Sequence, residues 1–565
     1  MSLTLLPPLD LTGTLAALAS LQVAEAGDRY TDQALQTSLI FMTAAGVERV
    51  AHINDQPVES WGTVLDTPRR PDADTLDQYL KAIQTRDELS ALAQPPSLPP
   101  DPPATDLAVD CPASGVGQIQ PEGIIAQALN QSLIGWAQAG LFQDPVWYFD
   151  GHTMEYTGQA KIGKTLHGTK HTSVKAVDEY CLFNHIPGLT RYFPTSVPYA
   201  QALRQMISQA NAVLPSDQRI VKLAFDKEGW DAELIAWLVE KQNIIPLTWV
   251  KDTATNRALL AGVAQEEFVA LDDGVTVGKS DQEHRVRRLA DVDLTFADLG
   301  IRRVVVLETE TGTRLGIFTT ALRPTAASLD DERVMTTVAM LNAMRYKQRI
   351  ENSFKVRRHE MAGDALPTHQ VHTVVQKESY DLKRAEAQAA RAEKRLVKYQ
   401  AEQQHHQELL ARGDLGKHES KILSARTTRL MDKTQVLVDC LTQEMAQVQT
   451  DTVTGQTVIE RTCHVLDVRK LTILSLFKDH TLIALHLLAH LLGLGGAGPE
   501  RLRREFFAHG DRVEFDHGRR TMTVFAKPFP RARTQLAYEW LCAQLNDRSV
   551  TFTRDGIPYR VLFSW

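Results

Sequence analysis

The sequence predicts an α/β protein built from several folding units, and three observations support this class. Apolar runs alternate with amphipathic helical segments between residues 146 and 250, the pattern of strands joined by crossover helices. A proline-rich stretch precedes this region, and a long charged stretch follows it. The chain has 565 residues, too many for one compact core. We therefore expect an α/β core flanked by further units.

Shifts in composition divide the chain into five parts. The first carries helical periodicity in TLDQYLKAIQTRDELSALA, and the second contains QPPSLPPDPPATD, which is extended because of its prolines. The predicted parts are a helical unit at 1–93, a linker at 94–116, the α/β core at 117–370 with a β-rich insertion at 252–325, a helical or coiled-coil spacer at 375–435, and a small α/β unit at 450–565.

Charge, cysteine usage and the most apolar run limit the classes of function. The net charge of −7 argues against a protein that coats nucleic acid through bulk charge, although local basic patches stay possible. The five cysteines are scattered, which suits a reducing cytoplasm. The run TLIALHLLAHLLGLGG contains His486 and His490 and reads as a buried helix. We expect a cytoplasmic protein with no signal peptide and no membrane contact.

The core alternates strands and helices in a definite order. VWYFD (146–150) is a short apolar run typical of a strand buried on both faces, and SVKAVDEYCLF and LTRYFPTSV resemble further strands. The helix PYAQALRQMISQANAVL follows, and then IVKLAFD (220–226), DAELIAWLVEKQN and IIPLTWV (244–250) form a βαβ unit. RRVVVLETE and RLGIFTT supply strands of the insertion, and a long helix is expected over about 330–361. Hairpin turns are expected at 516–518 and 555–556.

One motif suggests a nucleotide-binding protein. Residues 158–165 fit the phosphate-loop pattern G-x-x-x-x-G-K-[ST], with Lys164 and Thr165 at its end. A phosphate loop follows a buried strand and opens a helix, but the polar residues before Gly158 and the Gly168 after it do not fit that context. We interpret Lys161 and Lys164 instead as part of a basic loop beside a phosphodiester backbone, with a P-loop ATPase as an alternative.

Two aspartates follow apolar strands of the core. Asp150 in FDGH and Asp226 in FDKEGW each precede a turn that contains glycine. Ligands gather at the carboxyl ends of parallel strands, and two acids there favour a cation such as Mg²⁺ between them. The alternative is that both acids cap helices or turns.

A third acid lies on the long helix. In and beside AMRYKQRIENSFKVRRHE, apolar residues recur at helical spacing, at Ala339, Ala343, Tyr346, Ile350, Phe354 and Met361. Glu351 is one residue off this seam, and Lys347, Lys355 and Arg358 lie on its side of the helix. Carboxylates that hold two metal ions, with cations to bind phosphates, are what two-metal phosphoryl transfer requires. A solvated charged helix is the alternative.

Three stretches together resemble the DDE transposases of bacterial insertion sequences, whose core is ribonuclease-H-like. They are YFDGHTMEYTGQAKIGKT, LAFDKEGWDAELIAWLVEKQNIIPLTWVKD and MRYKQRIENSFKVRRHEMAGDAL, within about 140–370. The resemblance implies that Asp150, Asp226 and Glu351 are catalytic and hold two Mg²⁺ or Mn²⁺ ions. Some relatives have a Tyr-Arg-Glu-Lys signature, which Tyr346, Arg349, Glu351 and Lys355 follow in order at compressed spacing.

The resemblance also implies partners and a reaction. DNA would be the substrate, as terminal inverted repeats and target DNA, and the active assembly would be a homodimer that cleaves strands and transfers them. The N-terminal helical unit would bind DNA ends. The predicted DNA-contacting residues are Lys161, Lys164, Lys347, Arg349, Lys355 and Arg358. A non-catalytic DNA-binding descendant of a transposase is the second alternative, besides the ATPase.

Overall fold

A computed structural model gives the fold. It describes residues 14–24, 29–44, 47, 50–55, 70–93, 123–156, 164–167, 172–194, 197–277, 284–325, 331–347, 371–379, 382–413, 417–450, 457–491, 510–526, 532–547, 551–554 and 557–564. The chain divides into two compact units. The first comprises the described parts of 1–97, 118–370 and 466–565, and the second those of 371–465. The five-part division from the sequence is finer and stays a prediction.

The helices of the first unit occur in its N-terminal, central and C-terminal segments. Their bounds are α1 Thr14–Leu18, α2 Asp32–Ala44, α3 Ala73–Ala93, α4 Ile124–Gln138, α5 Tyr199–Val213, α6 Ala232–Gln242, α7 Ala254–Ala261, α8 337–347, α11 Arg469–Leu491 and α12 Ala532–Asp547, with α9 and α10 in the second unit. Short 3₁₀ helices include Lys227–Gly229. Helix α8 begins later than the predicted start at 330, because the residues before it form a turn and a bridge from Val334 to Leu322.

A large mixed sheet dominates the first unit. Within the described residues its strands are β1 Trp147–Glu155, β2 Lys164–His167, β3 Thr172–Asn184, β4 Ile186–Pro194, β5 Lys222–Phe225, β6 Ile245–Trp249, β7 Val269–Val277, β8 His284–Phe296, β9 Gly300–Thr309 and β10 Arg314–Thr319. The order is β4-β3-β1-β5-β6-β10-β9-β8-β7, with β2 paired to the start of β3. Strands β1, β5 and β6 are parallel, and the remaining pairings are antiparallel. The predicted α/β class is confirmed.

The β-rich insertion extends this sheet. Strand β10 pairs antiparallel with β6, so β7–β10 continue the core sheet at its edge. The chain therefore returns from the insertion to α8 directly beside the core strands.

The phosphate-loop alternative is wrong. A phosphate loop places its lysine and hydroxyl residue at the start of a helix, where free N–H groups meet the anion. Lys164 and Thr165 instead begin strand β2, and they pair with Lys175 and Val174 of β3.

Apolar packing covers both faces of the sheet. On one face, Phe149 and Phe225 join a core formed with α2–α5 and α11. On the other face, Tyr148 and Ala224 pack with Met340 and Met344 of α8. This two-sided burial explains why the strands read as continuous apolar runs.

Helix α11 is the one described helix that is long and apolar enough to cross a membrane. Most of its candidate segment, 78%, is buried inside the protein, and Ile473, Phe477 and Leu485 lie in the core with α2 and α4. The predicted buried helix is confirmed.

A histidine at the centre of α11 forms hydrogen bonds to residues of two other helices. The His480 Nδ1 is 2.7 Å from the Thr14 hydroxyl, and its Nε2 is 2.9 Å from the Ser132 hydroxyl. Ser132 donates its own hydrogen to the Ala128 carbonyl, so it accepts from the imidazole Nε2–H, and Thr14 donates to Nδ1. Burial lowers the pKa of His480 to about 3. The neutral imidazole thus links α1, α4 and α11.

Acidification should therefore destabilise the protein. The unfolded chain takes up a proton at His480 near its ordinary pKa, and the folded chain resists protonation down to about pH 3. Stability is thus lost as pH falls from about 6.5 towards 3, by at most about 1.4 kcal/mol per pH unit for this group. Thermal unfolding midpoints of wild type and His480→Gln should show a shallower pH slope in the variant. Equal pH slopes of the unfolding midpoint in wild type and His480→Gln would contradict a contribution of His480 to the acid sensitivity. Some slope remains in the variant, because burial also lowers the pKa of His486, to about 4.

The second unit consists of a helical hairpin and a small sheet. Helices α9 Leu382–Arg412 and α10 Lys417–Ala446 follow one another, and strands β11 Val371–Ser379, β12 Gln449–Thr450 and β13 Thr457–Leu466 form a sheet in the order β11-β13-β12. The sequence predicted a helix or helical hairpin here, and the hairpin form is present. Its second helix extends past 435, the predicted end of the spacer.

A four-stranded sheet lies near the C-terminus. Strands β14 Gly510–Asp516, β15 Thr521–Ala526, β16 Thr551–Arg554 and β17 Ile557–Ser564 have the order β14-β15-β17-β16. Strand β14 pairs antiparallel with β15 through a turn that overlaps the predicted one at 516–518, and β16 pairs antiparallel with β17. The second predicted turn, at 555–556, lies outside the described residues. Helix α12 lies between these two strand pairs in the chain and buries Tyr538 and Cys542 in the core.

Candidate active site

Two neighbouring parallel strands bring the predicted aspartates together. Phe149 of β1 is in register with Phe225, the last residue of β5, and Asp150 and Asp226 are the next residues along the two segments. Neighbouring strands lie about 4.8 Å apart, which makes these side chains direct neighbours. The sequence placed Asp150 at a strand end, and that detail is wrong, because β1 continues to Glu155 by pairing with β3. Only Asp226 follows its strand.

Both carboxylates face helix α8. Side chains alternate along a strand, so Asp150 shares the face of Tyr148, and Asp226 shares that of Ala224. Tyr148 and Ala224 pack in the cluster that contains Met340 and Met344 of α8. The site therefore lies between the middle of the sheet and this helix.

The ammonium group of Lys347 lies against both aspartates. Its Nζ is 3.2 Å from Asp226 Oδ2 and 3.7 Å from Asp150 Oδ1. The lysine side chain is 8% exposed, Asp150 13% and Asp226 32%. Two carboxylates from different strands thus share one cationic group in a largely buried position.

This cation controls the ionisation of Asp226. Burial by itself would raise the pKa of Asp226, but the charge of Lys347 and the hydrogen bond from the Lys227 N–H outweigh it. The pKa of Asp226 is therefore below its ordinary value, and the carboxyl group is ionised at neutral pH. The Lys227 N–H lies 2.7 Å from Asp226 Oδ1 and fixes the carboxylate at the start of the 3₁₀ turn.

The buried face of α8 differs from the predicted seam. Ala339 is exposed and Tyr346 is 37% exposed, whereas Met340, Ala343, Met344 and Lys347 are buried. These four residues recur at the helical spacing of three and four. The sequence pattern therefore misplaced the buried face of α8 by one position. A lysine is not counted in an apolar pattern, whereas Lys347 is buried because it pairs with two aspartates.

A tyrosine that the sequence did not indicate links the two aspartate strands. The Tyr199 hydroxyl, at the start of α5, donates to the Phe149 carbonyl at 3.4 Å and accepts from the Asp226 N–H at 3.3 Å. Burial and the charges of Asp150 and Asp226 raise the pKa of Tyr199 well above its ordinary value, so the hydroxyl keeps its proton. No local pattern reveals this contact, because it joins segments that meet only in the folded chain.

The close packing around Tyr199 also explains a glycine. A Cβ on Gly229 would lie 2.5 Å from the Phe225 ring and 3.0 Å from the Tyr199 ring. Only glycine permits the turn after Asp226 to pass so near the two rings.

We expect Tyr199→Phe to weaken the connection between the two segments that carry Asp150 and Asp226. The change leaves the Phe149 carbonyl and the Asp226 N–H without this partner, at a cost of about 1 kcal/mol because both hydrogen bonds are long. The thermal unfolding midpoint and the Mn²⁺ affinity should both decrease. Tyr180→Phe is the matched control, since the Tyr180 ring also packs on Phe149, at 5.2 Å, but its hydroxyl makes neither of these hydrogen bonds. Equal effects of the two changes would contradict the linking role.

The remaining predicted site residues fall largely outside the described residues. These are Glu351, Lys161, Arg349, Lys355 and Arg358, whose roles stay predictions. Lys164 lies in β2, and nothing is described of its side chain. Lys347, predicted to contact DNA, is the one cation of the set that the structure brings to the aspartates.

The oxygen ligands fit a hard divalent cation. Mg²⁺ prefers carboxylate oxygens, and the two aspartates already direct oxygens at one positive group. Within the described residues, no cluster of three or more His, Cys, Asp and Glu side chains forms a complete metal site. The pair of aspartates is therefore the described part of a candidate site, and Glu351 is its predicted third ligand.

A cavity of about 600 Å³ lies beside α8 on the same face of the sheet. Tyr148, Ala343 and Tyr346 line it near the aspartates, and Lys222 lines it near the start of β5. Burial lowers the pKa of Lys222. Asp150 and Asp226 do not line this cavity.

Comparisons with known proteins give little beyond this geometry. No protein-family model matches the chain, and no curated protein matches it. Among solved structures it is similar to the piggyBac transposase in a synaptic complex with hairpin DNA, at 8% identity over 91% of this chain and 87% of that chain, with a TM-score of 0.35. So distant a likeness carries no argument about activity, and the comparisons do not support membership of a bacterial insertion-sequence family.

Proposed function

We propose that this protein is a metal-dependent DNA transposase that cleaves strands and transfers them to target DNA. One observation carries the proposal: Asp150 and Asp226, on adjacent parallel strands, direct their carboxylates at a single positive group. Acids on strands 76 residues apart in the chain would repel each other without a cation, so the fold has brought together a cation-binding pair.

Glu351 completes the proposed site. It follows Lys347 by four residues, and in a continuous helix residues i and i+4 share a face. Lys347 lies on the face of α8 that meets the aspartates, so a helix continuing through 351 would direct Glu351 to the same side of the sheet. Asp150, Asp226 and Glu351 would then hold two Mg²⁺ or Mn²⁺ ions. Such ions supply an activated oxygen nucleophile and stabilise the leaving oxygen in phosphoryl transfer.

The sheet order supports a ribonuclease-H-like core. Three antiparallel strands, β4-β3-β1, are followed by β5 and β6, which are parallel to β1 and connected through α5 and α6. The acids lie on the central strand β1 and directly after its parallel neighbour, β5. We take this order as support for the ribonuclease-H-like core that the resemblance of the three sequence stretches implies.

DNA is the proposed substrate, as terminal repeats and target. Lys161, Lys164, Arg349, Lys355 and Arg358 are proposed to bind phosphates around the acids. Assembly as a homodimer on two DNA ends, and action in the cytoplasm, belong to the same proposal.

The test is strand cleavage by the full-length protein. A duplex made from the DNA that flanks the gene is incubated with Mg²⁺, with Mn²⁺ or with EDTA, and nicked strands are resolved on a denaturing gel. We expect cleavage only with the metals. Binding of the duplex without cleavage under any condition would identify a non-catalytic descendant and overturn the proposal.

A further inference from the structure

A buried arginine of the insertion contacts the segment that leads into α8. The Arg303 side chain, on β9, is 5% exposed. It forms a bidentate ion pair with Asp291 of β8 through two of its nitrogens. Its Nε lies 3.0 Å from Asp291 Oδ1, and its Nη2 lies 2.6 Å from Asp291 Oδ2. This two-pronged geometry fixes the plane of the guanidinium group, and it leaves Nη1 directed elsewhere.

The remaining nitrogen binds the backbone before α8. The Arg303 Nη1 donates to three carbonyl oxygens, those of Ala321 at 3.3 Å, Leu322 at 2.8 Å and Met335 at 2.9 Å. Asp291 in turn accepts a hydrogen bond of 2.7 Å from the hydroxyl of Thr337, the first residue of α8. Both members of the pair therefore hold the start of this helix.

The axial position of α8 determines where Lys347 lies. The apolar packing of Met340 and Met344 would permit α8 to slide a little along its axis, because hydrophobic contacts are not directional. A slip by one residue would shift the helix by about 1.5 Å and turn it by about 100°, which would carry Lys347 away from the aspartates. Directed hydrogen bonds at the helix start prevent such a slip.

We propose that Arg303 is a positioning residue for the carboxylate site. Through its pair with Asp291 it makes the β-rich insertion a fixed support for α8, and so sets Lys347 against Asp150 and Asp226. The functional part of this inference rests on the proposed metal-dependent activity, whereas the structural part does not. The insertion then has a role inside the protein, separate from any contact with DNA.

The chain contains a matched control. Arg314, on β10 of the same insertion, is 12% exposed, pairs with Glu308 at 3.3 Å and also donates to three carbonyl oxygens. Those carbonyls belong to Leu260, Ala261 and Val263, at the end of α7. The two arginines have the same chemistry, but only Arg303 contacts the start of α8.

The experiment measures hydrogen–deuterium exchange in full-length Arg303→Met and Arg314→Met without metal or DNA. We expect amides of 337–347 to exchange about tenfold faster or more in Arg303→Met, the effect of losing charge-assisted hydrogen bonds. Arg314→Met should speed exchange near 254–263 and leave 337–347 unchanged. Equal exchange of 337–347 in wild type and Arg303→Met would overturn the proposal.

Two further variants distinguish a local effect on α8 from general destabilisation of the protein. In Arg303→Met itself, Asp291 still has a cationic partner, because it also pairs with Arg323 at 3.1 Å. Arg303→Lys keeps the positive charge but loses the planar guanidinium group with its several donors. The amides of 337–347 should therefore exchange at an intermediate rate in this variant. Asp291→Asn should also speed exchange there, since it weakens the bonds from Arg303 and Thr337. A uniform increase across the first unit in all variants would show a general stability effect and would contradict a positioning role.

The metal response separates this inference from the proposed function. Mn²⁺ binding, followed by electron paramagnetic resonance, should change in affinity at least severalfold in Arg303→Met and stay at the wild-type value in Arg314→Met. If wild type neither binds Mn²⁺ nor cleaves DNA, the proposed function fails, and altered exchange in 337–347 still supports the positioning of α8 by Arg303. If cleavage is established but exchange and Mn²⁺ affinity are unchanged in Arg303→Met, the positioning role of Arg303 is wrong.

Discussion

Asp226→Asn should lower Mg²⁺-dependent strand cleavage by more than about a hundredfold while the protein stays folded. Loss of a group that merely orients a metal ligand already costs about 10–100-fold, and a ligand itself should cost more. Asparagine keeps the shape of the side chain and an oxygen for the Lys227 N–H, which lies 2.7 Å from Asp226 Oδ1. The variant therefore removes the negative charge and little else.

Asp178→Asn is the matched control for this prediction. Asp178 is a partly buried acid on β3 that pairs in register with Thr153 of β1 and accepts the Thr153 hydroxyl at 2.8 Å. By strand alternation it points to the face opposite Asp150. Burial, with the Glu228 charge, raises the pKa of Asp178, which marks a different environment from that of Asp226. Gel assays of both variants should show loss only in Asp226→Asn. Wild-type cleavage by Asp226→Asn would remove this residue from the mechanism.

The sequence could predict which strands carry the aspartates. Strands buried on both faces are read as short apolar runs, and VWYF and LAF were recognised in this way. The parallel pairing of β1 and β5 followed from the alternation of strands and helices, and it placed Asp150 and Asp226 together. These inferences need only local composition and spacing, which a sequence contains.

The sequence could not predict contacts that depend on register between distant segments. Tyr199 meets Phe149 and Asp226 only because α5 lies over the sheet at one angle. The sequence predicted Lys347 as a DNA contact, and its burial becomes evident only when two carboxylates are found opposite it. Since the apolar pattern omits a buried charge, it misplaced the packed face of α8 by one position.

Lys347→Met should give the second large effect, a protein less stable without metal and more responsive to it. The ammonium group offsets one of the two negative charges of Asp150 and Asp226, and without it the two neighbouring carboxylates repel each other more strongly. Breaking a fully buried pair costs 3–5 kcal/mol, and about 2 kcal/mol is expected here because Asp226 is 32% exposed. In EDTA the thermal unfolding midpoint should therefore fall by a few degrees.

Divalent metal should reverse that loss in the variant. In the proposed mechanism, the ammonium group and a metal ion would compete for the same two carboxylates. A unit charge about 4 Å away contributes several kcal/mol at an effective dielectric constant of about 20, so its removal should tighten Mg²⁺ binding by about tenfold or more. Tighter binding stabilises the folded state further at a given metal concentration. The rise in midpoint from EDTA to Mg²⁺ should thus be larger in Lys347→Met than in wild type.

Lys227→Met separates this competition from a general effect of charge. Lys227 follows Asp226 directly but is exposed, and its charge contributes less to the pKa of Asp226 than that of Lys347 does. Its removal should leave the midpoint in EDTA and the response to Mg²⁺ near the wild-type values. An equal response to Mg²⁺ in Lys347→Met and wild type would mean that the metal does not occupy the position held by the ammonium group. The paired aspartates would then be a structural ion pair with Lys347, and the cation-binding site would have to lie elsewhere.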